Sequence, residues 1–211
     1  FWIVHYRGHW TLVDAGQGKQ GGNLEPTFQT LSIKHEDITT VLLTHMHPDH
    51  IAGLIDGDKP VFPKAKVLLS EKERDFWLDP SRPATSLPHK VANAYGANFQ
   101  TLKYDTEVVP GIFSVELEGH TAGHTAFEVV SGPNHLVLAG DFVTATDVQF
   151  AYPEESATLD DNKEKSAVAR RRLMDRAAKE KIAVAGTHII FPGVGYVKPA
   201  ADDGFAFVSI K

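Results

Sequence analysis

The chain has 211 residues, a formal net charge of −6 and a pI near 6.0. That length allows one domain, or two intimately packed halves, around a sizeable core, and the mild acidity argues against a nucleic-acid partner. There is no cysteine, which excludes disulfides and thiolate ligands, and no apolar run approaches the ~20 residues needed to span a bilayer.

In chain order, Phe1 to Tyr6 and Trp10 to Asp14 read as two strands joined by the turn Arg7-Gly8-His9. The chain opens directly on FWIVHY and not on methionine, so further residues are expected ahead of Phe1, and periplasm and cytoplasm both fit. The Gly-rich stretch Gly16 to Gly22 is a loop, and His5 and His9 read as ordinary strand and turn residues. Pro26 to Leu31 suits a short helix, after which Glu36-Asp37-Ile38 leads into the apolar run Val41-Leu42-Leu43. Asp14 ends its own strand and reads equally well as a turn cap or as support for a ligand histidine.

The apolar run delivers THMHPDH, Thr44 to His50. Imidazole and carboxylate are the ligands a borderline-soft divalent metal takes, and packing them this tightly has few structural explanations. His45 and His47, two apart where a strand ends, can project to one side. Pro48 stops the strand, which puts Asp49 and His50 on a turn or first helical turn.

Beyond the motif, Ile51 to Leu54 can begin a helix and Val67-Leu68-Leu69 is a strand. Ser70 to Glu73 has a capping-box pattern and opens a short helix to Leu78, and Asp79 to Pro88, with three prolines, reads as a long loop or lid. Phe113 to Leu117, Ala126 to Val130 and His135 to Ala139 are strands, the last two joined at Gly132-Pro133-Asn134. Asp160 or Asp161 can cap a helix to about Lys179, with Val168, Ala169, Leu173 and Ala177 buried and Arg170, Arg171 and Arg172 mostly solvated. Ile182 to Ala185, Val194 to Lys198 and Phe205 to Ile210 close the chain as strands. Ligand-type residues recur where these strands end: His120 and His124, Asp141, and His188. The aromatics Trp77, Phe99, Phe150 and Phe191 are candidates to line an apolar substrate pocket, with plain core as the alternative reading.

HxHxDH at the end of an apolar strand resembles the signature of the metallo-β-lactamase superfamily. The resemblance implies an α/β fold, the αββα sandwich of two mixed β-sheets flanked by helices, spanning 1–211 as one domain and lacking its N-terminal strand, which would leave one sheet edge exposed. It also implies two divalent ions, Zn²⁺ first with Mn, Co or Fe as alternatives. His45, His47 and His120 would hold one ion and Asp49, His50 and His188 the other, with Asp141 bridging. In the GHTxGH segment the family uses the first histidine, which selects His120 over His124. Metal-bound water can lose its proton near pH ~7, so a bridging hydroxide would serve as nucleophile and Asp49 could accept its proton.

The segments VQFAYPEES, DDNKEKSAVARRR, GTHIIFPGVGYV and ERDFWL resemble the methyl parathion hydrolase-like subgroup, in which Trp77 matches a pocket tryptophan. The implied activity is hydrolysis of neutral, apolar small-molecule esters, either phosphotriesters or aryl esters and lactones. An acyl-homoserine lactonase is the alternative, although the tyrosine of those relatives is replaced by Thr144 here. A non-hydrolytic or redox metal-binding member of the fold is the remaining rival. No nucleic acid or membrane is expected as partner, and a homodimer is allowed.

Overall fold

Hairpin geometry sets the first element. In the computed structural model, which describes residues 1–210, strands β1 (Trp2–Tyr6) and β2 (His9–Val13) pair antiparallel across the two-residue turn Arg7-Gly8. Both turn residues have positive φ, the conformation whose twist matches that of the flanking strands. Two compact units follow from the chain, Phe1–Leu102 and Lys103–Lys211.

In the first unit β2 runs parallel to β3 (Ile38–Leu42), β3 to β6 (Lys66–Ser70) and β6 to β7 (Phe99–Leu102), so the five-stranded sheet is mixed, in the order β1-β2-β3-β6-β7. A small ladder of β4 (Ile55–Asp56) and β5 (Lys59–Pro60) lies apart from it. The helices are α1 (Leu24–Leu31), α2 (Pro48–Ile51), α3 (Glu71–Trp77) and α4 (Leu87–Tyr95). Leu12, Val41, Leu43, Met46, Val67 and Leu69 are fully buried in one cluster, each contributing roughly 1.5–3 kcal/mol of transfer free energy. The end of β3 is apolar on both faces, with Val41, Leu42 and the following Leu43 fully buried, because the strand is central in its sheet, and this fixes where the histidine motif emerges.

The expected loop ends earlier than the sequence suggested. Pro88 lies in the first turn of α4, where its missing N–H deprives no helical carbonyl, and Val91 and Tyr95 pack on the unit's core.

The second unit is a seven-stranded mixed sheet in the order β14-β13-β12-β11-β10-β9-β8. Its strands are β8 (Glu107–Val109), β9 (Ile112–Glu116), β10 (Thr125–Ser131), β11 (Asn134–Leu138), β12 (Ala183–Ala185), β13 (Val194–Pro199) and β14 (Phe205–Ser209). Gly132, with φ 60, opens the two-residue turn between β10 and β11, a position where a side chain would be strained and Pro133 is welcome next. Only β11 and β12 pair in parallel, so their C-terminal ends share one side of the sheet. A short helix α5 (Thr146–Gln149) precedes the long α6 (Lys163–Glu180), which packs against β13.

Three expectations about α6 are corrected. Asn162, not Asp160 or Asp161, is its N-cap, its Oδ1 accepting from Lys165 N at 3.0 Å. Val168 is exposed, and the buried stripe runs through Ala169, Leu173, Met174 and Ala177. Arg170, expected in solvent, is 1 % exposed because five protein acceptors surround its guanidinium. Among the described residues no helix is long and apolar enough to cross a membrane.

Candidate metal centre

In the first unit the run after β3 turns sharply. His47 is extended and N-caps α2, Pro48 takes the first helical position, and Asp49 and His50 occupy the first turn, as the sequence indicated. His45 Nε2 and His47 Nδ1 lie 2.9 Å apart, a separation that suits a shared cation, and the His45 and His50 rings meet at a tilt of 50° with centroids 4.0 Å apart. His50 Nε2 is 3.6 Å from Asp49 Oδ2.

What orients these rings is Asp14. Its amide donates to Leu42 O and extends the β2–β3 ladder, so its buried carboxylate sits beside the base of the motif. Oδ1 accepts from Thr44 N, and Oδ2 accepts from Thr44 Oγ1 and His50 Nδ1, each at 2.8 Å. Since Thr44 Oγ1 gives its proton to Asp14, it accepts from His45 Nδ1 at 3.0 Å. Both histidines therefore carry the proton on Nδ1 and the lone pair on Nε2, the nitrogen that would meet a metal. Of the two readings of Asp14, the hydrogen bond to His50 favours support of a candidate ligand histidine over a turn cap.

Glu73 was read only as part of a capping box. Ser70 Oγ does accept from Glu73 N, but the fully buried Glu73 carboxylate reaches elsewhere, accepting from Met46 N at 2.9 Å and from Trp77 Nε1 at 2.6 Å. It ties the motif to α3 and leaves the Trp77 ring edge-on to His47, centroids 5.5 Å apart.

In the second unit Asp141 and His188 follow β11 and β12, the parallel neighbours. Ala139 N donates to Ala185 O and Thr187 N to Gly140 O, which knits the two strand ends and brings His188 Nε2 to 3.0 Å from Asp141 Oδ2. His120 comes from the loop between β9 and β10, its Nε2 3.4 Å from the same carboxylate oxygen. That loop rests on the start of α6: Asn162 N donates to Gly119 O, and Asp161 N to His120 O. Gly119 has φ 131, and a Cβ there would stand 2.1 Å from Ser166 N, so the close approach requires glycine.

His120 and His124 are separated by their hydrogen bonds. His124 gives its Nδ1 proton to Leu117 O at 3.0 Å and accepts at Nε2 from Asp141 N at 3.2 Å, so both ring nitrogens serve the main chain. His120 gives its Nδ1 proton to Asp160 Oδ1 at 2.9 Å, which turns Nε2 toward Asp141. Burial disfavours the His120 imidazolium, but hydrogen bonds and charge from Asp141 and Asp160 outweigh it and push the pKa up to about 9. Imidazole with carboxylate is the donor set for a divalent metal. Within each unit the donor atoms of His45 and His47, of Asp49 and His50, and of Asp141 with either His120 or His188 lie within 4.8 Å of one another.

The aromatic candidates fare unevenly. Trp77 is half-buried beside His47, as described. Phe99 packs against the first unit's core on β7. Phe150 is core and not pocket: it is 3 % exposed and packs on Phe142 and Phe207, because α5 turns it into the second unit. Phe191 is 93 % exposed, beyond β12 and just ahead of β13. Thr144, in place of the lactonase tyrosine, directs its amide to Gln149 Oε1, and Tyr152 is half exposed beyond α5.

Paired imidazole and carboxylate groups just beyond the strand ends of a mixed α/β fold make a candidate site for divalent metal. The family model described as metallo-beta-lactamase superfamily matches residues 1–188, and the chain belongs to that superfamily. Among curated proteins it is similar to the uncharacterized protein YobT of Bacillus subtilis (strain 168), 25% identical over 189 residues that cover 83% of this chain and 78% of YobT. Among solved structures it is similar to AidC, a dizinc quorum-quenching lactonase in complex with the product N-hexanoyl-L-homoserine, with TM-score 0.90 and 25% identity over 99% of this chain and 78% of AidC. It is likewise similar to the hydrolase AbOPH of the beta-lactamase superfamily, with TM-score 0.89 and 28% identity over 99% of this chain and 78% of AbOPH.

Proposed function

We propose that the chain is a dinuclear metal-dependent hydrolase of neutral, apolar small-molecule esters, including lactones. In this reading His45, His47 and His120 hold one divalent ion, Asp49, His50 and His188 hold a second, and Asp141 serves both. The observation that carries it is the uniform tautomer: three histidines, His45, His50 and His120, each have Nδ1 committed to a protein acceptor, leaving Nε2 as the donor nitrogen. A bound divalent metal supplies a Lewis acid and lowers the pKa of a coordinated water, so the chain needs no serine or cysteine nucleophile. Asp49, one-third exposed in its side chain at the first turn of α2, would serve as the proton acceptor in this reading. The Trp77 ring, fixed by Glu73, offers an apolar face beside His47 for the acyl or leaving group. Zinc suits the nitrogen-rich donor set, and the likeness to a dizinc lactonase supports it.

A second reading within the same chemistry, hydrolysis of acyl-homoserine lactones, is favoured by the likeness to AidC over nearly the whole chain. Turnover of an aryl ester, a long-chain homoserine lactone and a neutral phosphotriester by the zinc-, manganese- and cobalt-loaded protein tests both. Hydrolysis that disappears with chelator and returns with metal is expected. Preference for the lactone by more than tenfold would select the second reading, and a folded, metal-loaded protein that turns over none of the three would overturn the first.

A further inference from the structure

Arg170 and Asp160 form a buried ion pair that neither capping nor packing accounts for. The helix start is already served by Asn162, so the Asp160 carboxylate is not a cap for α6. Instead Oδ1 accepts from His120 Nδ1 at 2.9 Å, while Oδ2 accepts from Ala157 N at 3.1 Å and from Arg170 Nη2 at 3.4 Å. The rest of the guanidinium is spent on main chain and one hydroxyl: Nε donates to Phe142 O, Nη1 to Pro153 O and Glu155 O, each at 2.7 Å, and Nη2 to Ser166 Oγ at 2.9 Å. Arg170 thus grips the residue that follows Asp141 and, through Asp160, the ring of His120.

We propose that Asp160, clamped by Arg170, is the positioning residue that holds His120 in its metal-binding tautomer, and that the same guanidinium fixes the turn carrying Asp141. The inference rests on His120 and Asp141 being metal donors, as argued above. A buried ion pair is a poor source of stability, since desolvation consumes most of its Coulombic gain. What it does supply is geometry. A carboxylate on Nδ1 stops the imidazole from rotating and holds a proton on Nδ1, and the planar fork of a single arginine can address the loop at Phe142 and the carboxylate together where a lysine cannot.

The test uses the full chain and four proteins: wild type, Asp160→Asn, Arg170→Lys and Ser166→Ala. Zinc affinity is measured by chelator competition, the ligand field by the visible spectrum of the cobalt-substituted protein, and folding by circular dichroism and thermal melting. Asp160→Asn is expected to stay folded, to bind zinc roughly 10- to 100-fold more weakly and to show an altered cobalt spectrum. Arg170→Lys should move both readouts the same way by less. A merely structural role lowers the melting temperature of both variants and leaves zinc affinity and spectrum unchanged, which would overturn the proposal. If neither variant folds, Ser166→Ala, which removes one partner of the guanidinium, must still weaken zinc binding at least twofold, and an unchanged affinity there refutes the idea. Wild type that binds no divalent metal would instead bring down the functional reading itself, and this inference with it.

Discussion

Asp14→Asn separates charge from shape at one of the carboxylates that set the histidine tautomers. Asparagine has the same volume and tolerates the left-handed backbone that Asp14 adopts at φ 55, so no strain is added. Asp14 accepts from Thr44 N, Thr44 Oγ1 and His50 Nδ1, each at 2.8 Å, and the amide has only one oxygen with which to do so. With that oxygen kept on Thr44 N, its NH₂ faces His50 Nδ1, and two donors meet. The relief is for His50 to move its proton to Nε2, which is the nitrogen the metal needs. Losing one charge-assisted hydrogen bond costs roughly 1.5–3 kcal/mol, which corresponds to about 10- to 100-fold in zinc affinity. Urea denaturation of the chelated protein would show the stability loss, and chelator competition would show the loss in affinity. A folded Asp14→Asn protein that binds zinc within threefold of wild type would refute the tautomer argument.

The other expectations can be checked by similar means. His120→Ala should abolish tight metal binding, whereas His124→Ala, which removes only hydrogen bonds to Leu117 O and from Asp141 N, should cost stability first and metal affinity far less; the reverse order of affinities would exchange their roles. Gly119→Ala puts a Cβ 2.1 Å from Ser166 N, so about 3 kcal/mol of stability should be lost in urea titration, and a loss under ~1 kcal/mol would mean the loop can back away from α6. Burial pushes the Glu128 carboxyl up, but Arg176 and His135, at 2.8 and 2.7 Å, outweigh it and hold the pKa below its ordinary 4.5. A depressed carboxyl stabilises the fold above its unfolded pKa, and that contribution fades as pH falls below about 4.5 through the folded value. Glu128→Gln should flatten that part of the acid limb, and an unchanged slope in stability against pH would contradict the pairing.

The candidate donors were legible because metal chemistry restricts residue type and spacing so strongly: THMHPDH after an apolar strand, and ligand-type residues just past three later elements, need no tertiary information to be noticed. Their helpers were not. An aspartate ahead of a helix reads as a cap, and only the fold reveals that Asn162 takes that role and leaves Asp160 for His120. A run of three arginines reads as a solvated face, since the carbonyls of Phe142, Pro153 and Glu155 that make burial of Arg170 tolerable are far away in sequence. Glu73 was hidden in the same way by a capping pattern that is itself present. Helix α4 was obscured by prolines, which break a helix interior but suit its first turn. For Phe150 the residue type was right for a pocket, and the turn of α5 directed it to the core.

Metal stoichiometry measured on the purified chain, wild type beside His47→Ala and Asp141→Asn, bears most directly on the proposal that the chain is a dinuclear metal-dependent hydrolase. About two divalent ions per wild-type chain are expected, with tight binding reduced in His47→Ala and most severely in Asp141→Asn, the residue assigned to both ions. Wild type that retains no divalent ion, or variants that keep the wild-type complement, would contradict it.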